Sequence, residues 1–339
     1  MFMEASEKRE VNSLRKMEFE ASLRKATYFS FGGAGTRASA YLGFLSYLQK
    51  WDGYETVVHS RLKGTVGVSS GSMVALAMLV GADMQKVLSS MQECTSRQTG
   101  GILNVDVSQL LNRYGIDDGR SLRALIGASI QSMGLETSVT FRELYRMTGK
   151  EYSVVVTRVR DATACVMNHK TRPRMQIKKA IYMSCTLPFL FTPDTDEEGE
   201  MYCDGGMVEN VPFSHFPVEK TIVLTIEWNH VFNVPVNGIR NFGIATALCL
   251  FTCQRCSIEY HKEKNEGRHH IYDIRHESLR GDPVSLDSDN EIVVEWFKAG
   301  VSNCMSLLTP SMGRCVGSTT QVVLSQLLLR ESNNASVAE

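Results

Sequence analysis

The sequence has no excess of charge of either sign. Its 36 Lys and Arg residues offset 37 Asp and Glu residues, which leaves a formal net charge of −1 over 339 residues. Proteins that bind nucleic acids usually present a net positive surface to the phosphates. The composition therefore gives no support for nucleic-acid binding, and we expect no nucleic-acid partner.

The sequence also lacks the pattern of a secreted protein held together by disulfides. Residues 1–25 carry eleven charges and no apolar segment of the kind that a signal peptide contains. The nine cysteines are odd in number and irregularly spaced, which is typical of free thiols in a reducing compartment. We therefore expect a cytoplasmic protein that is not secreted.

Long hydrophobic runs, repeats and low-complexity tracts are also absent. The uncharged stretch 64–82 is rich in Gly, Ser and Thr, and the uncharged stretch 241–254 is shorter than the roughly 20 residues that a spanning helix needs. With 43% hydrophobic and 22% charged residues, the chain can bury a large core. We expect a globular protein whose membrane contact is peripheral.

What the sequence does contain is an alternation of strand and helix patterns. Strands alternating with helices predict an α/β fold with a mostly parallel sheet covered on both faces. No Pro/Gly-rich linker divides the chain, which favours one large domain. The predicted strands cover residues 28–31, 65–68, 152–157 and 221–226, and the predicted helices cover 38–48, 70–80, a segment after Asp83, 122–133, 140–149 and a segment after Ser318.

The strongest chemical signal is the G-x-S-x-G pattern formed by Gly67, Ser69 and Gly71 between a predicted strand and a predicted helix. A nucleophilic serine needs a tight turn of this kind to expose its oxygen, and glycines on both sides remove clashing side chains. The free N–H groups at the start of the helix would face the charge that develops in acyl transfer. A glycine-rich turn with a chemically idle serine is the alternative.

Two further segments have chemical potential. The turn at 32–35 follows the first predicted strand, but Ala38 breaks the dinucleotide spacing G-x-G-x-x-G, and no Gly-Lys-Ser/Thr follows as in a P-loop. An oxyanion hole fits this turn better, with a tight turn that binds nothing as the alternative. Farther along, Asp204-Gly205-Gly206 follows an apolar approach, and an Asp-Gly pair is ordinarily a turn.

In the order in which they occur along the chain, the glycine-rich turn at 32–35, the G-x-S-x-G turn and the Asp204-Gly205-Gly206 segment resemble the patatin-like phospholipase family. The resemblance covers about residues 26–230, because further similar segments lie at 117–123, 140–144, 180–193 and 210–212. It implies a three-layer α/β/α fold with a mostly parallel central sheet. The implied organisation is a charged helical extension at 1–25, a catalytic domain at 26–230, and a helical extension at 231–339 packed on the same domain.

The resemblance also implies a mechanism without metal or cofactor. Ser69 would attack an ester carbonyl and form an acyl-enzyme, and Asp204 would accept the serine proton directly. The implied activity is a lipid acyl hydrolase of the phospholipase A or lysophospholipase type, acting on phospholipid or another acyl lipid at a membrane or lipid-droplet surface. The implied oxyanion donors are the N–H groups of Gly33, Ala34 and Gly35, and the implied supporting residues are Arg37, Gly67, Gly71, Gly205 and Gly206.

The glycine loop departs from the common family pattern, and other functions stay open. Many members have three glycines followed by x-Arg/Lys-Gly, whereas this chain has Gly33-Ala34-Gly35-Thr36-Arg37-Ala38. Ala38 favours a second hypothesis, a catalytically weak or inactive lipid-binding or scaffold protein. Acyl transfer to an acceptor other than water is another. One remaining alternative is a Ser-His-Asp hydrolase that uses His269, His270 or His276. The other is a zinc site formed by Cys253 and Cys256 with His261, His269 and His270 nearby.

Overall fold

A mostly parallel sheet forms the centre of the fold. The computed structural model describes residues 2–96, 106, 108, 110–226, 270–276 and 290–308. The strands in these residues are β1 (Tyr28–Phe31), β2 (Gly64–Val68), β3 (Gly115–Asp117), β4 (Glu151–Arg158), β5 (Thr163–Met167), β6 (Phe189–Phe191), β7 (Asp194–Thr195), β8 (Met201–Asp204), β9 (Thr221–Ile226) and β10 (His270–Ile274).

Eight of these strands make one sheet in the order β10-β9-β1-β2-β4-β8-β7, with β5 paired to β4 as well. The five strands from β10 to β4 are parallel, whereas β5, β7 and β8 pair in antiparallel fashion. β3 and β6 form a separate two-stranded parallel sheet. Strands β1, β2, β4 and β9 are almost wholly buried, as the continuous apolar runs of a sheet covered on both faces require.

Helices occupy the connections between the strands. The described residues contain α1 (Phe2–Lys25), α2 (Ser39–Leu48), α3 (Ser70–Leu79), α4 (Met84–Ser96), α5 (Leu110–Arg113), α6 (Arg120–Ser132), α7 (Phe141–Thr148), α8 (Ile177–Cys185) and α9 (Asn290–Leu307). α3 is buried along its whole length, so it lies inside the molecule rather than across a membrane. No helix within the described residues combines the length and the hydropathy of a membrane span.

The α/β fold class expected from the sequence is confirmed, and the predicted strands and helices within the described residues form. Several boundaries differ by one or two residues. For example, the helix predicted from residue 38 begins at Ser39, because Gly35–Ala38 first makes a 3₁₀ turn. The strands β3, β5, β6, β7, β8 and β10, which have two to five residues each, were not predicted. The helix predicted after Ser318 lies outside the described residues, and the division at residues 25 and 230 stays a prediction.

The N-terminus of α7 gives a direct test of the sequence-based reasoning. The predicted capping box is present: the Glu143 backbone N–H donates to Thr140 Oγ1 at 3.3 Å, and the Thr140 N–H donates to the Glu143 carboxylate at 2.9 Å.

Thr140→Ala should lower the free energy of unfolding by about 1 kcal/mol, since one helix N–H loses its acceptor. Urea unfolding measures the change. The exposed neighbour substitution Ser138→Ala is the control and should change stability by less than about 0.5 kcal/mol.

Candidate active site

Ser69 occupies a strained turn between β2 and α3. Its φ of 51° and ψ of −132° are unusual for a residue with a side chain, and such a conformation costs about 1–3 kcal/mol. The turn is tight because glycines flank it: a Cβ on Gly67 would lie 2.5 Å from the Gly71 carbonyl oxygen, and a Cβ on Gly71 would lie 2.4 Å from the Gly32 oxygen. The G-x-S-x-G pattern therefore forms the strand–turn–helix arrangement that it predicts.

The Ser69 hydroxyl meets the Asp204 carboxylate. Ser69 Oγ donates to Asp204 Oδ2 at 2.7 Å, across 135 positions of the sequence. Asp204 ends β8, which pairs with β4 at Val156, and β4 lies directly beside β2. Adjacent strands are about 4.8 Å apart, so two side chains from β2 and β8, separated by one strand, can meet above β4.

The second carboxylate oxygen and the backbone of Asp204 are also held. Gly206 N–H donates to Asp204 Oδ1 at 2.7 Å, and Thr157 Oγ1 donates to the Asp204 carbonyl oxygen at 2.9 Å. The Asp204 N–H donates to the Thr186 carbonyl oxygen at 2.8 Å. Gly205 packs against β4, since a Cβ there would lie 2.3 Å from the Val155 oxygen. These contacts keep the carboxylate directed at Ser69.

Burial changes the proton affinity of this carboxylate. Asp204 is 1% exposed, and burial raises the pKa of its carboxyl to about 7, while the hydrogen bonds from Ser69 and Gly206 oppose the shift. A carboxyl whose pKa lies near neutral pH is a stronger base than an ordinary aspartate, and it still ionises at physiological pH.

Ser184, to which the sequence assigned no role, holds the backbone of the turn. The Ser69 N–H donates to Ser184 Oγ at 2.7 Å, and Ser184 Oγ donates in turn to the Val155 carbonyl oxygen at 2.6 Å. Ser184 lies at the end of α8 and is fully buried, so one hydroxyl links this helix, β4 and the strained turn. The only sequence signal for it is its place in the segment 180–193.

The glycine loop lies directly against Ser69. A Cβ on Gly33 would lie 3.4 Å from the Ser69 Cβ. Ala34 has a negative φ of −143°, so it does not need the left-handed conformation that favours glycine, and Ala38 is in the ordinary helical region. The departures from the common glycine pattern at these two positions are therefore compatible with the geometry of the loop.

The N–H groups of the loop differ in their partners. The Gly33 N–H donates to the Asn210 carbonyl oxygen at 3.0 Å and so anchors the loop, and its role as an oxyanion donor stays a prediction. The Ala34 N–H donates to Ser70 Oγ at 3.3 Å, a long bond that a charged oxygen could replace. Gly35, with a φ of 57°, begins the 3₁₀ turn. The contacts of Gly33 with Asn210 and of Ala34 with Ser70 are not evident from the sequence.

Histidine and cysteine side chains were alternative catalytic or metal-binding groups. His270 pairs with Ile222 near the amino end of β9, and its Nδ1 is 2.9 Å from Ser22 Oγ. Ser69 follows the carboxyl end of β2, about 13 Å farther along the sheet. His276 follows β10, three strands from β2, and its ring packs on Trp296. His269, His261 and the Cys253–Cys256 pair lie outside the described residues, within which no cluster with metal-binding composition is found.

Cys185 carries a thiol, which is another potential nucleophile, next to Ser69 and Asp204. Its thiol lies against Ser69, and burial raises its pKa, with the Asp204 carboxylate adding to the shift. A thiol with a raised pKa stays protonated and is a poor nucleophile. The arrangement thus offers one hydroxyl nucleophile with a buried carboxylate base, directly beside the glycine loop.

This chain is similar to known proteins. The family model for patatin-like phospholipases matches residues 29–217, which include Ser69, Asp204 and the glycine loop. Among curated proteins, the probable lipid hydrolase 463L of Invertebrate iridescent virus 6 is 21% identical over 153 residues, which cover 45% of this chain and 52% of the viral protein. The match thus spans about half the length of that relative. The uncharacterized protein R571 of Acanthamoeba polyphaga mimivirus is 24% identical over 249 residues, 70% of this chain and 80% of its own.

Two solved structures of bacterial proteins align with this chain. VipD from Legionella pneumophila aligns over 84% of this chain and 66% of its own length, with a TM-score of 0.47 and 16% identity. ExoU of Pseudomonas aeruginosa, solved with SpcU, aligns over 83% of this chain and 50% of its own length, with a TM-score of 0.44 and 13% identity.

Asp204→Asn should raise the free energy of unfolding at about pH 8. The wild-type carboxylate is charged there and poorly solvated, whereas an amide is neutral. Its folded-state pKa of about 7 exceeds the ordinary value of about 3.9, so the folded state binds more protons between the two values. Wild-type stability therefore increases as the pH falls through this window, and the advantage of the variant shrinks. Urea unfolding at several pH values measures it.

The matched control for this experiment is Asp52→Asn, which removes an exposed carboxylate. It should leave the pH dependence of unfolding like that of the wild type. A difference between Asp204→Asn and the wild type that stays constant from about pH 5 to pH 8 would contradict a raised pKa at Asp204.

Proposed function

This chain belongs to the patatin-like phospholipase family, and from that premise we propose that it hydrolyses carboxylic esters of lipids through Ser69 and Asp204. The observation that carries the proposal is the 2.7 Å hydrogen bond from Ser69 Oγ to the buried Asp204 carboxylate. A serine is a weak nucleophile until an adjacent base takes its proton, and Asp204 is the base in contact with it. The activity is of the phospholipase A or lysophospholipase type.

The proposed first half-reaction forms an acyl-enzyme. Ser69 Oγ attacks the ester carbonyl carbon as its proton passes to Asp204, and the carbonyl oxygen becomes an oxyanion. The Ala34 and Gly35 N–H groups stabilise this oxyanion, with Ala34 exchanging the Ser70 hydroxyl for the substrate oxygen. When the tetrahedral intermediate collapses, the bond to the lipid alcohol breaks, and the Asp204 carboxyl returns its proton to the departing alcohol oxygen.

In the proposed second half-reaction, Asp204 takes a proton from a water molecule that attacks the acyl carbon. The fatty acid leaves, and the proton returns to Ser69 Oγ. The supporting residues act by position: Gly67 and Gly71 keep the turn tight, Gly205 and Gly206 hold Asp204, and Gly33 anchors the loop on Asn210. No step of this sequence needs a metal ion or a cofactor.

An exposed apolar patch supports contact with a lipid surface. It consists of Leu111, Tyr114 and Phe189, which are 87%, 60% and 54% exposed. Tyr114 precedes Gly115, which pairs with Phe189 in the small sheet of β3 and β6. Tyr114 and Phe189 both have positive φ values, 61° and 66°, a strained backbone that holds two aromatic side chains in solvent.

The chain connects this patch to a residue beside the proposed nucleophile. Phe189 follows Cys185, whose thiol lies against Ser69, by four residues, and the Leu190 N–H folds the chain back onto the Leu187 carbonyl oxygen. Aromatic side chains enter the interface between lipid headgroups and acyl chains readily. We propose that the patch rests on a membrane or lipid-droplet surface, from which an acyl lipid reaches Ser69, and that the protein acts as a peripheral protein in the cytoplasm.

Ser69→Ala and Asp204→Asn should each lower the hydrolysis of phosphatidylcholine vesicles and of a soluble nitrophenyl ester by about 10³-fold or more, because each removes one half of the nucleophile–base pair. A fluorophosphonate should label wild-type Ser69. The value of kcat/KM should rise with pH through about 7, as Asp204 loses its proton. Mass spectrometry of the labelled peptide and a pH–rate profile measure these outcomes.

The matched control is a triple variant that combines His269→Ala, His270→Ala and His276→Ala. It should keep most of the activity. If the triple variant is inactive while Asp204→Asn remains active, the chain is a Ser-His-Asp hydrolase. If folded wild-type protein is not labelled and hydrolyses neither substrate, it is a lipid-binding or scaffold protein.

Phe189→Ser combined with Tyr114→Ser should lower vesicle hydrolysis about tenfold more than hydrolysis of the soluble ester, since only vesicles need the apolar patch. Vesicle flotation measures binding directly. Met147→Ser is the matched control: Met147 is 66% exposed, but α7 leads into the amino end of β4, the edge of the sheet away from Ser69. Equal losses on both substrates would refute the docking role.

A further inference from the structure

We propose that Trp296 of α9 is a positioning residue for the glycine loop, which it holds in place through the side chain of Arg37. This inference rests on the proposed function, because the loop has a chemical role only if Ser69 forms an acyl-enzyme. Trp296 belongs to α9, which lies beyond the residues that the family model matches. The inference therefore assigns a part in the reaction to a segment for which the sequence predicted only packing.

The contact is between a buried cation and a buried aromatic ring. Arg37 Cζ lies 5.3 Å from the centroid of the Trp296 ring, within the distance of a cation–π interaction. The two residues are only 3% and 2% exposed. A buried guanidinium loses its hydration, and the face of an indole ring replaces part of that interaction.

Arg37 connects this contact to the loop. It belongs to the 3₁₀ turn Gly35–Ala38, and its backbone N–H donates to the Ala34 carbonyl oxygen at 3.2 Å. The peptide unit between Ala34 and Gly35 carries one of the two proposed oxyanion donors, so a shift of the Arg37 backbone moves that donor. An error of about 1 Å in such a group can lower the rate by about 10²-fold.

α9 is fixed firmly enough to serve as the support. It packs on α2 with the two backbones in contact: a Cβ on Gly43 would lie 2.0 Å from the Phe297 carbonyl oxygen, and a Cβ on Gly300 would lie 1.9 Å from the Ala40 oxygen. Because the two backbones already touch at these glycines, α9 cannot move closer to α2 without a clash or away from it without losing this packing. Trp296 also packs against the His276 ring, with 5.0 Å between centroids.

The first test compares three substitutions on or next to this contact. Trp296→Leu should lower kcat on the soluble ester about tenfold and leave KM within about twofold, because the loop acts on the transition state rather than on substrate binding. Trp296→Phe keeps an aromatic face and should restore most of kcat. Phe297→Leu is the matched control: it also replaces a buried aromatic of α9, and it should lower stability without lowering kcat. Equal losses of kcat for Trp296→Leu and Phe297→Leu would refute the positioning role.

The second test is a double-mutant cycle with Arg37→Lys, which keeps the charge but loses the planar guanidinium. If Trp296 acts through Arg37, the double variant should lose about as much kcat as the more damaging single variant. Losses that multiply independently would overturn the proposal.

The same cycle in urea unfolding separates this inference from the proposed function. If wild-type Ser69 is not labelled by a fluorophosphonate, the proposed function fails and the catalytic role of Trp296 fails with it. A coupling between Trp296 and Arg37 in the unfolding midpoint would then show that the contact itself is real. No coupling in unfolding and none in kcat would show that Trp296 and Arg37 are merely neighbours.

Discussion

The hydrogen bond between Ser69 and Asp204 is the contact on which the interpretation of this molecule depends. It places a hydroxyl that is a weak nucleophile beside a carboxylate whose burial raises its pKa to about 7. Burial of a charge opposes folding, and the positive φ of Ser69 does so too. The surrounding structure must therefore hold both groups, which the hydroxyl of Ser184, the N–H of Gly206 and the backbone of Thr186 do.

Strand order explains why these two groups meet. Ser69 follows the carboxyl end of a parallel strand, where α/β sheets usually place their ligands. Asp204 arrives from the opposite direction, at the end of an antiparallel strand on the far side of β4. The sheet changes from parallel to antiparallel at β4. β8 ends opposite Val156, and the neighbouring Val155 pairs with Val68 at the end of β2, so the ends of β2 and β8 lie at the same level of the sheet. Glycines at 67 and 71 then let the loop at 32–35 close over the same point.

The C-terminal part of the described chain is closely connected to this site. α9 meets α2 through Gly43 and Gly300, and from there Trp296 reaches Arg37. α1 is joined to the same body, since Phe19 packs edge-on against Phe44 of α2 and against Tyr272 of β10. Segments outside the matched residues 29–217 thus pack on the helix that follows the glycine loop. We propose that 1–25 and the residues after 230 are extensions of one catalytic body at 26–230.

The amino-acid sequence by itself determined the α/β fold class, the strand–turn–helix around Ser69 and the capping box at Thr140, whereas the pairing of Ser69 with Asp204 was implied only by the family resemblance. These features depend on short spacings: apolar periodicity, glycines two residues from a serine, and a cap three residues before its partner. The sequence did not determine which acceptors the Gly33 and Ala34 N–H groups bind, because their contacts with Asn210 and Ser70 join residues 36 or more positions apart. It did not reveal Ser184 or Trp296 either, since a serine at a helix end and a tryptophan in a helix are ordinary residues. Only the tertiary structure decided these roles, because burial and the direction of a hydrogen bond arise when distant segments pack together.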